Sequence, residues 1–520
     1  MRNGDRGKGV SDASCLRFPL DRYPGMNPFV LAWMKGDSSA TRFLQRIDGP
    51  LSGWRPSPTT PVAPSASLLE GLARSNFAWG RDVRDELSRW SRGGTLTAVA
   101  GQQVGFAGGP LYTLVKLASL IKLKRDNEAA GIPTTAFFWL ATEDHDFREV
   151  AELALPRKGA GQRDLVYLRA TLTVDSRRVV GPQTIPETLV AEFLAAASIE
   201  RPTWLRKGIS FADSFAELLH EATQDSVILV DALLPELRRE GRSLFQSILK
   251  QWDGVQSALA TRSAELSAAG FAPQIVPREG EPYTLLFRLD DRGNREMLDR
   301  SAALDEPERI STSALTRPLL QDAVLRPDLF IGGPAEVAYY AQIEPLHRLL
   351  AVSTPRVALR AHTLIAPRRM LRTCARYSLD ASELFASADS LLAKREPEGV
   401  AEIRAIAAKA SRDLAAQLTR IGEIALPAEH ALARAINRSI GHIEYHFGKL
   451  TERAIRGIAR KDRERYAAVR EAVATLLPDG TVQDRVVGWF GYWSEFGNDL
   501  VEKVIAESDA DRLEGTIIPL

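Results

Sequence analysis

Cysteine is scarce in this chain. Cys15 and Cys374 are the two cysteines among 520 residues, which excludes a disulfide-stapled scaffold and a zinc site built from several cysteines. Net charge is also nearly absent, because 67 Lys and Arg residues face 66 Asp and Glu residues. Without a net basic field, the chain lacks the general phosphate neutralisation that drives nucleic-acid binding. We therefore expect no nucleic-acid partner.

Long apolar runs are missing as well. Runs such as residues 136–141 (AFFWLA) and 227–230 (VILV) fall far short of the ~20 apolar residues that a membrane helix requires. The opening residues, MRNGDRGKGVSDAS, lack the apolar stretch of a signal peptide. These absences predict a cytoplasmic protein with no membrane partner. The 45% of hydrophobic residues that are present is typical of a globular protein, and the length suggests about three domains.

A βαβ pattern occupies residues 95–140. Residues 95–100 (TLTAVA) predict a buried strand that runs into a glycine-rich segment, 101–110 (GQQVGFAGGP). Apolar residues at helical spacing follow to about Lys124, and residues 134–140 (TTAFFWL) predict a second buried strand. This order predicts a parallel sheet. Further core strands are predicted at 227–231 and 329–331, and strands of a smaller insertion near 284–290.

The chain becomes helical and alanine-rich from about Ala381. Apolar residues then recur at alternating spacings of three and four on both sides of Pro427, namely Val400, Ile403, Ala407, Ala410, Leu414, Ile421 and Ile424 before it and Ile436, Ile440, Ile443, Phe447, Leu450 and Ala454 after it. Two such helices with a short break predict an antiparallel coiled-coil hairpin. A lone hairpin leaves its apolar residues short of partners, so we predict a homodimer through this segment.

Two segments at predicted strand ends have the residue types of a ligand site. The glycines of 101–110 let backbone N–H groups approach an anion at a helix start, and Lys116 can lean back toward it. Thr142 to Asp146 (TEDHD) directly follows the second strand, where open α/β sheets bind ligands. There His145 is a candidate general base or donor, and the carboxylates are candidate Mg²⁺ ligands. The alternatives are a tight turn at 101–110 and an acidic helix cap at 142–146.

A third glycine-containing strand end lies at Gly332-Gly333-Pro334. Glu336 in the following helical turn is a candidate partner for ribose hydroxyls, and the equally simple alternative is a carboxylate that complements the helix dipole. Upstream, Arg317 can pair with a carboxylate or phosphate, or form a surface salt bridge. His442 and His446 share a helix face, but the intervening glutamate does not match the zinc-protease pattern, so we predict no metal site there.

Three blocks of sequence occur together and in order, GQQVGFAGGPLYTLVK (101–116), FFWLATEDHDFREV (137–150), and TRPLLQD (316–322) with FIGGPAEVAYYAQ (330–342). With these blocks the chain resembles the bacillithiol biosynthesis cysteine-adding enzyme family, from residues 15–29 (CLRFPLDRYPGMNPF) to the C-terminus. It departs from the family pattern at Ala358-Leu359-Arg360, where proline is expected before the arginine, and at 284–287, which lacks an expected asparagine.

The resemblance implies an α/β fold, with a Rossmann-like parallel-sheet core related to class I aminoacyl-tRNA synthetases and nucleotidylyltransferases. On this basis we predict the core at 1–380, with connecting insertions at about 155–225 and 255–312. The coiled-coil hairpin is predicted at 381–475, followed by an aromatic C-terminal segment, 476–520, that packs back on the core. The implied activity is the addition of L-cysteine to glucosaminyl-malate, the last step of bacillithiol synthesis.

Amide formation requires an activated carboxyl group, and the resemblance suggests ATP, an aminoacyl-adenylate and Mg²⁺ on the phosphates. The predicted catalytic residues are Lys116, Asp144, His145 and Asp146. Nucleotide and small-molecule substrates are predicted to bind at Gly101, Gln102, Gln103, Gly105, Gly108, Gly109, Tyr112, Thr113, Arg317, Gln321, Gly332, Gly333, Glu336, Tyr339 and Arg360. Two alternatives stay open: a non-catalytic nucleotide- or metabolite-binding protein that dimerises through the coiled coil, and a nucleotidylyltransferase with another acceptor.

Overall fold

The structure is a computed structural model. It describes residues 15–47, 49–55, 63–147, 150, 152–156, 165–169, 177–225, 227–394, 399–425, 432–461 and 463–520. Pro427, the predicted break between the long helices, and the charged N-terminal residues 1–14 lie outside the described residues. Among the residues described, no helix is both long and apolar enough to cross a membrane.

The strands are β1 (Leu16–Pro19), β2 (Leu96–Gln102), β3 (Thr134–Leu140), β4 (Glu152–Pro156), β5 (Leu165–Arg169), β6 (Val227–Asp231), β7 (Leu286–Leu289), β8 (Arg295–Met297), β9 (Ile310–Thr312), β10 (Leu329–Gly332), β11 (Arg356–Leu359), β12 (Thr363–Ala366) and β13 (Glu514–Pro519). Short 3₁₀ turns span Leu20–Arg22, Phe106–Gly108, Thr203–Leu205, Pro307–Arg309, Ala381–Phe385 and Pro478–Gly480.

The helices are α1 (Pro28–Met34), α2 (Ser38–Thr41), α3 (Ala66–Ala78), α4 (Arg84–Ser91), α5 (Leu111–Ala129), α6 (Glu187–Ala197), α7 (Phe211–Ala222), α8 (Pro235–Glu240), α9 (Arg242–Lys250), α10 (Trp252–Ala268), α11 (Arg317–Leu325), α12 (Pro334–Leu349), α13 (Arg368–Tyr377), α14 (Ala388–Lys394), α15 (Val400–Ala425), α16 (Leu432–Lys461), α17 (Arg463–Leu476), α18 (Gln483–Val486), α19 (Trp489–Phe496) and α20 (Asn498–Ala506).

A five-stranded parallel sheet forms the centre of the fold, in the order β11-β10-β2-β3-β6. The predicted strands at 95–100, 134–140, 227–231 and 329–331 all lie in it, so the parallel sheet is confirmed. Alternate residues of β3, such as Phe138, pack against apolar residues of α5, such as Leu117 and Ile121. Strand order reverses between β2 and β10, which creates a crevice at the carboxyl ends of these strands. Ligands bind at such crevices in open α/β sheets.

Smaller sheets surround this centre. Between β3 and β6 lies the antiparallel pair β4–β5, and between β6 and β10 lies the antiparallel sheet β8-β7-β9. The two ends of the chain meet in a third sheet, because β13 pairs antiparallel with β1 and parallel with β12. The C-terminal segment therefore completes the same compact unit that contains the central sheet.

The chain divides into two compact units, Met1–Pro367 with Thr475–Leu520, and Arg368–Ala474. The second unit begins before the predicted boundary at residue 381, because α13 packs with α17 within that unit. Ion pairs join Arg369 to Glu471 and Arg376 to Glu464. Within this unit α15 and α16 pack against each other as a helical hairpin, in agreement with the apolar spacing.

The C-terminal segment contacts the glycine-rich loop directly. Trp489 is fully buried and its indole N–H donates to the Gly108 carbonyl oxygen at 2.8 Å. Gly108 has a φ of +85°, and a Cβ atom built on it would lie 2.4–2.5 Å from the indole. Both the backbone conformation and the space therefore require glycine at this position.

Gly108→Ala should destabilise the protein more than Gly94→Ala. Gly94 has a similar φ of +88°, but a Cβ atom there meets no atom within 4 Å. The Gly94 variant therefore incurs backbone strain alone, about 1–2 kcal/mol, whereas the Gly108 variant adds overpacking of about 1–3 kcal/mol against Trp489. Chemical unfolding of both variants measures the difference. Equal losses of stability in the two variants would mean that the Trp489 indole does not restrict the glycine-rich loop.

Candidate active site

A cavity of about 500 Å³ lies at the carboxyl ends of β2, β3 and β10. It includes the crevice where strand order reverses. Twelve of the residues predicted for the site line it, namely Gly101, Gln102, Gln103, Tyr112, Lys116, Asp144, His145, Arg317, Gly333, Glu336, Tyr339 and Arg360. The three sequence blocks are thus brought together by the topology of the sheet.

The other predicted site residues lie outside this lining. Gly105, Gly108 and Gly109 form a turn that packs against the C-terminal segment, so the ligand-facing part of the loop is restricted to residues 101–103. Thr113 and Gln321 are buried, and Gln321 bonds to the Asp322 carboxylate and the Tyr340 hydroxyl.

Two predicted residues remain, Gly332 and Asp146. Gly332 is enclosed, because a Cβ atom there would meet the Phe330 ring at 2.8 Å and the Glu336 Cβ at 3.0 Å. Asp146 is exposed, away from the cavity lining.

Lys116 is buried, with 3% of its surface exposed. Its ammonium group donates to the Gly101 carbonyl oxygen at 2.7 Å, to Gln102 Oε1 at 2.8 Å and to Glu336 Oε2. An ammonium group has three donors, so all three are engaged by the protein. Lys116 does lean back toward the glycine loop as predicted, but there it holds backbone and side chains in place.

Glu336 lies in the first turn of α12 and connects both sides of the crevice. Its Oε2 also accepts a hydrogen bond from the Gly333 backbone N–H at 2.7 Å, which caps the helix. Its Oε1 lies 3.9 Å from the Arg317 guanidinium and 3.4 Å from the Tyr339 hydroxyl. Burial alone raises the pKa of Glu336, but the Lys116 and Arg317 charges outweigh it and lower the pKa below its ordinary value. These contacts match the helix-start alternative for Glu336.

The TEDHD segment after β3 contains two well-satisfied carboxylates. Asp144 accepts hydrogen bonds from the Gln103 amide and from the backbone N–H groups of His145 and Asp146. Burial opposes its ionisation, but the hydrogen bonds from Gln103 and from the two backbone N–H groups outweigh burial and lower its pKa well below the ordinary range. Glu143 is buried, and the sequence indicated it only as one of the candidate Mg²⁺ ligands of this segment.

Glu143 attaches the inserted sheet β8-β7-β9 to the end of β3. Its carboxylate accepts from Arg238 at 2.6 Å, from the Ser311 hydroxyl at 2.8 Å, and from the Thr312 backbone and hydroxyl at 2.8 and 2.6 Å. Burial raises its pKa, but these partners outweigh the effect and lower it overall. Because Ser311 and Thr312 lie 168 and 169 positions away, no local sequence pattern indicates this anchor.

Arg360 is held in place by residues from segments near both ends of the chain. Its guanidinium donates to Asp484 Oδ2 at 3.1 Å and to the Ala361 carbonyl oxygen at 2.6 Å. The Tyr23 hydroxyl donates to the other Asp484 oxygen at 2.5 Å. The segments near the N- and C-termini therefore fix a cationic side chain in the cavity wall.

Cationic groups outnumber carboxylates in the cavity lining. Five cationic side chains line it, Lys116, Arg295, Arg317, Arg360 and Arg485, against three carboxylates, Glu143, Asp144 and Glu336. Arg295, Arg485 and the Phe287 ring were not selected from the sequence, because they lie outside the three blocks. The surplus of positive charge suits an anionic ligand that carries carboxylate or phosphate groups.

The donor set does not fit a resident Mg²⁺ ion. Throughout the described part of the chain, no group of three or more His, Cys, Asp or Glu residues is arranged to hold a metal. The oxygens of Glu143 and Asp144 already accept hydrogen bonds from neighbouring side-chain and backbone groups. The expectation that the TEDHD carboxylates hold Mg²⁺ is therefore not supported by their contacts.

Lys116→Met should destabilise the fold, because it leaves the Glu336 carboxylate buried without its ammonium partner. Breaking a buried ion pair on one side costs about 3–5 kcal/mol. Lys122→Met is the matched control on the same helix, where the ion pair with Asp126 is partly exposed and is worth about 0–1 kcal/mol. Thermal and chemical unfolding of both variants test this. If Lys116→Met is as stable as the wild-type protein, the Glu336 carboxylate does not need the Lys116 ammonium group as a partner.

Family models match the chain along nearly its whole length. Residues 59–361 match the model described as "Bacillithiol biosynthesis BshC, N-terminal Rossmann-like domain". Residues 363–520 match "Bacillithiol biosynthesis BshC, C-terminal coiled-coil domain". These matches agree with the parallel sheet and the helical hairpin of the structure.

Similar proteins carry the name "Putative cysteine ligase BshC". The one from Koribacter versatilis is 30% identical over 446 residues, 80% of this chain and 82% of its own. The one from Solibacter usitatus is 29% identical over 451 residues, 80% of this chain and 83% of its own. The one from Heliobacterium modesticaldum is 28% identical over 495 residues, 86% of this chain and 88% of its own. On the strength of the family models and these relatives, the chain belongs to the bacillithiol biosynthesis BshC family.

Proposed function

We propose that this protein is a cysteine ligase that forms an amide bond between the carboxyl group of L-cysteine and the amine of glucosaminyl-malate. The observation that carries the proposal is the cluster of five cationic side chains around one cavity at the carboxyl ends of β2, β3 and β10. Cysteine, glucosaminyl-malate and ATP all carry carboxylate or phosphate groups that such a cavity attracts. Membership of the BshC family supports this choice of substrates.

Activation of the cysteine carboxylate by ATP is part of the proposal. A carboxylate oxygen of cysteine attacks the α-phosphorus of ATP, which forms cysteinyl-adenylate and releases pyrophosphate. The glucosamine nitrogen then attacks the activated carbonyl carbon, the C–O bond to AMP breaks, and the amine loses a proton. Because a carboxylate resists nucleophilic attack and condensation in water is uphill, coupling to ATP supplies the driving force.

The positions of the cavity residues suit them to different roles in this reaction. Arg317 and Arg360 lie on the β10 side of the crevice and are suited to binding the anionic groups of the substrates. His145 lies at the end of β3, with half of its side chain exposed, where it either stabilises negative charge or accepts the amine proton. Lys116 and Glu336 hold the two sides of the crevice together. The Mg²⁺ that accompanies ATP would be bound by the phosphates and water, since the protein carboxylates are engaged.

A homodimer through the coiled-coil hairpin is a separate part of the proposal. On α15 the side chains of Ile406, Ile421 and Ile424 are 61%, 56% and 74% exposed, and on α16 Leu450 is 64% exposed. The three isoleucines lie within one stripe of α15, because helical residues 15 and 18 positions apart point in similar directions. A second copy of the hairpin is an occupant of matching chemistry. We place the enzyme in the cytoplasm, where ATP and cysteine are available.

His145→Asn should lower turnover about 10²–10³-fold, the usual cost of removing one donor to developing charge. The assay incubates the protein with cysteine, glucosaminyl-malate and ATP and detects the thiol product by mass. His442→Asn, on the exposed surface of α16, is the matched control and should keep full turnover. A wild-type protein that makes no product refutes the ligase. Product formation with less than a threefold loss in the His145 variant refutes its role, because that loss corresponds to under about 1 kcal/mol of barrier.

Light scattering of the intact protein at micromolar concentration should give twice the 57.2 kDa mass of one chain. Ile421→Glu should lower the measured mass toward that of the monomer, because it places a charge in the apolar stripe. Ala416→Glu, an exposed position on another side of α15, is the control and should leave the dimer intact. A monomeric wild-type protein would contradict the dimer without affecting the proposed reaction.

A further inference from the structure

Arg295 contacts the ring of His145. Its Nη1 lies 3.0 Å from His145 Nδ1, although the two residues are 150 positions apart in the chain. A guanidinium group has only N–H donors and stays charged in proteins. In this contact Nδ1 must therefore be the acceptor, and a neutral ring then carries its proton on Nε2.

The Asp144 carboxylate is the competing neighbour. Its Oδ1 lies 3.5 Å from His145 Nδ1 and would favour a proton on that nitrogen. That distance is longer than the 3.0 Å contact with Arg295, and Oδ1 already accepts from the backbone N–H groups of His145 and Asp146 at 2.7 and 3.1 Å. Arg295 is therefore the neighbour that determines whether Nδ1 carries a proton, and it favours an unprotonated Nδ1.

Arg295 is itself fixed in place. It is 9% exposed and lies at the start of β8, where its Nη2 donates to the Thr312 carbonyl oxygen at 2.6 Å. Its guanidinium carbon lies 3.8 Å from the centre of the Phe287 ring. Thr312 is bonded through its backbone and hydroxyl to Glu143, two positions before His145. The strand-end segment that carries His145 thus also anchors the sheet that carries Arg295.

We infer that Arg295 is a positioning residue that fixes His145 in the tautomer with the proton on Nε2. Nε2 has no hydrogen-bond partner among the described residues, and His145 lines the cavity. As part of the proposed function, on which this role in the reaction rests, His145 then acts as a neutral donor to an oxygen that gains negative charge. It keeps its proton, so the proton of the amine leaves by another route.

The tautomer is measured directly by long-range ¹H–¹⁵N correlation NMR on protein with ¹⁵N-labelled histidine rings, at a pH where the rings are neutral. The His145 signals are identified by their loss in His145→Gln. We expect a protonated Nε2 and an unprotonated Nδ1 in the wild-type protein. A proton on Nδ1, or an equal mixture of both forms, would overturn the inference whether or not the protein is a ligase.

Arg295→Met tests whether the Arg295 guanidinium is what fixes the tautomer of His145. With the donor removed, the His145 signals should shift toward a mixture of tautomers, while the signals of the buried His347, which bonds to Asp322 at 2.9 Å, stay unchanged and report an intact fold. Arg300→Met, an exposed arginine of the same insertion paired with Asp253, is the control and should change neither. If the protein is active, turnover in Arg295→Met should fall at least about tenfold. An unchanged His145 tautomer in a folded Arg295 variant would contradict the inference.

Discussion

The buried ion pair between Lys116 and Glu336 is the interaction on which the geometry of the cavity depends. It joins residues that are 220 positions apart, one on the helix after β2 and the other on the helix after β10. Those two strands are neighbours in the sheet at the point where its order reverses, and the ion pair joins the segments that follow them across the crevice. The desolvation of both charges is offset by the hydrogen bonds from Lys116 to Gly101 and Gln102 and from Gly333 to Glu336.

Other buried contacts attach the remaining parts of the chain to the same strand ends. Glu143 holds the sheet β8-β7-β9, Asp484 brings the C-terminal segment to Arg360, and Trp489 confines the turn at Gly108. Each contact satisfies a buried polar group that would otherwise cost free energy. The cavity wall is therefore assembled from segments that are distant in sequence, and Lys116, Arg295 and Arg360 have fixed positions before any ligand binds. Such preorganisation favours electrostatic stabilisation of charge during the reaction.

Sequence reasoning predicted the sheet well, because β2, β3, β6 and β10 are short apolar runs bounded by glycine or polar residues. It missed β11, where Arg356–Leu359 is too short to stand out. It also predicted correctly which strand ends form the site, since the carboxyl ends of parallel strands share one edge of the sheet. It did not predict the environment of individual side chains, and it took Lys116 for a residue that contacts the ligand. Burial and pairing depend on residues such as Arg295 and Trp489, whose proximity follows only from the complete fold.

The most direct test of the account is the fate of oxygen from the cysteine carboxylate. Cysteine labelled with ¹⁸O in its carboxyl group is incubated with the protein, glucosaminyl-malate and ATP, and the nucleotide and phosphate products are analysed by mass. Activation through an adenylate transfers one labelled oxygen to AMP for each amide bond formed, and this is the result that the account predicts. Label in inorganic phosphate together with ADP would contradict the adenylate. Absence of label from every phosphorus-containing product would contradict carboxyl activation altogether.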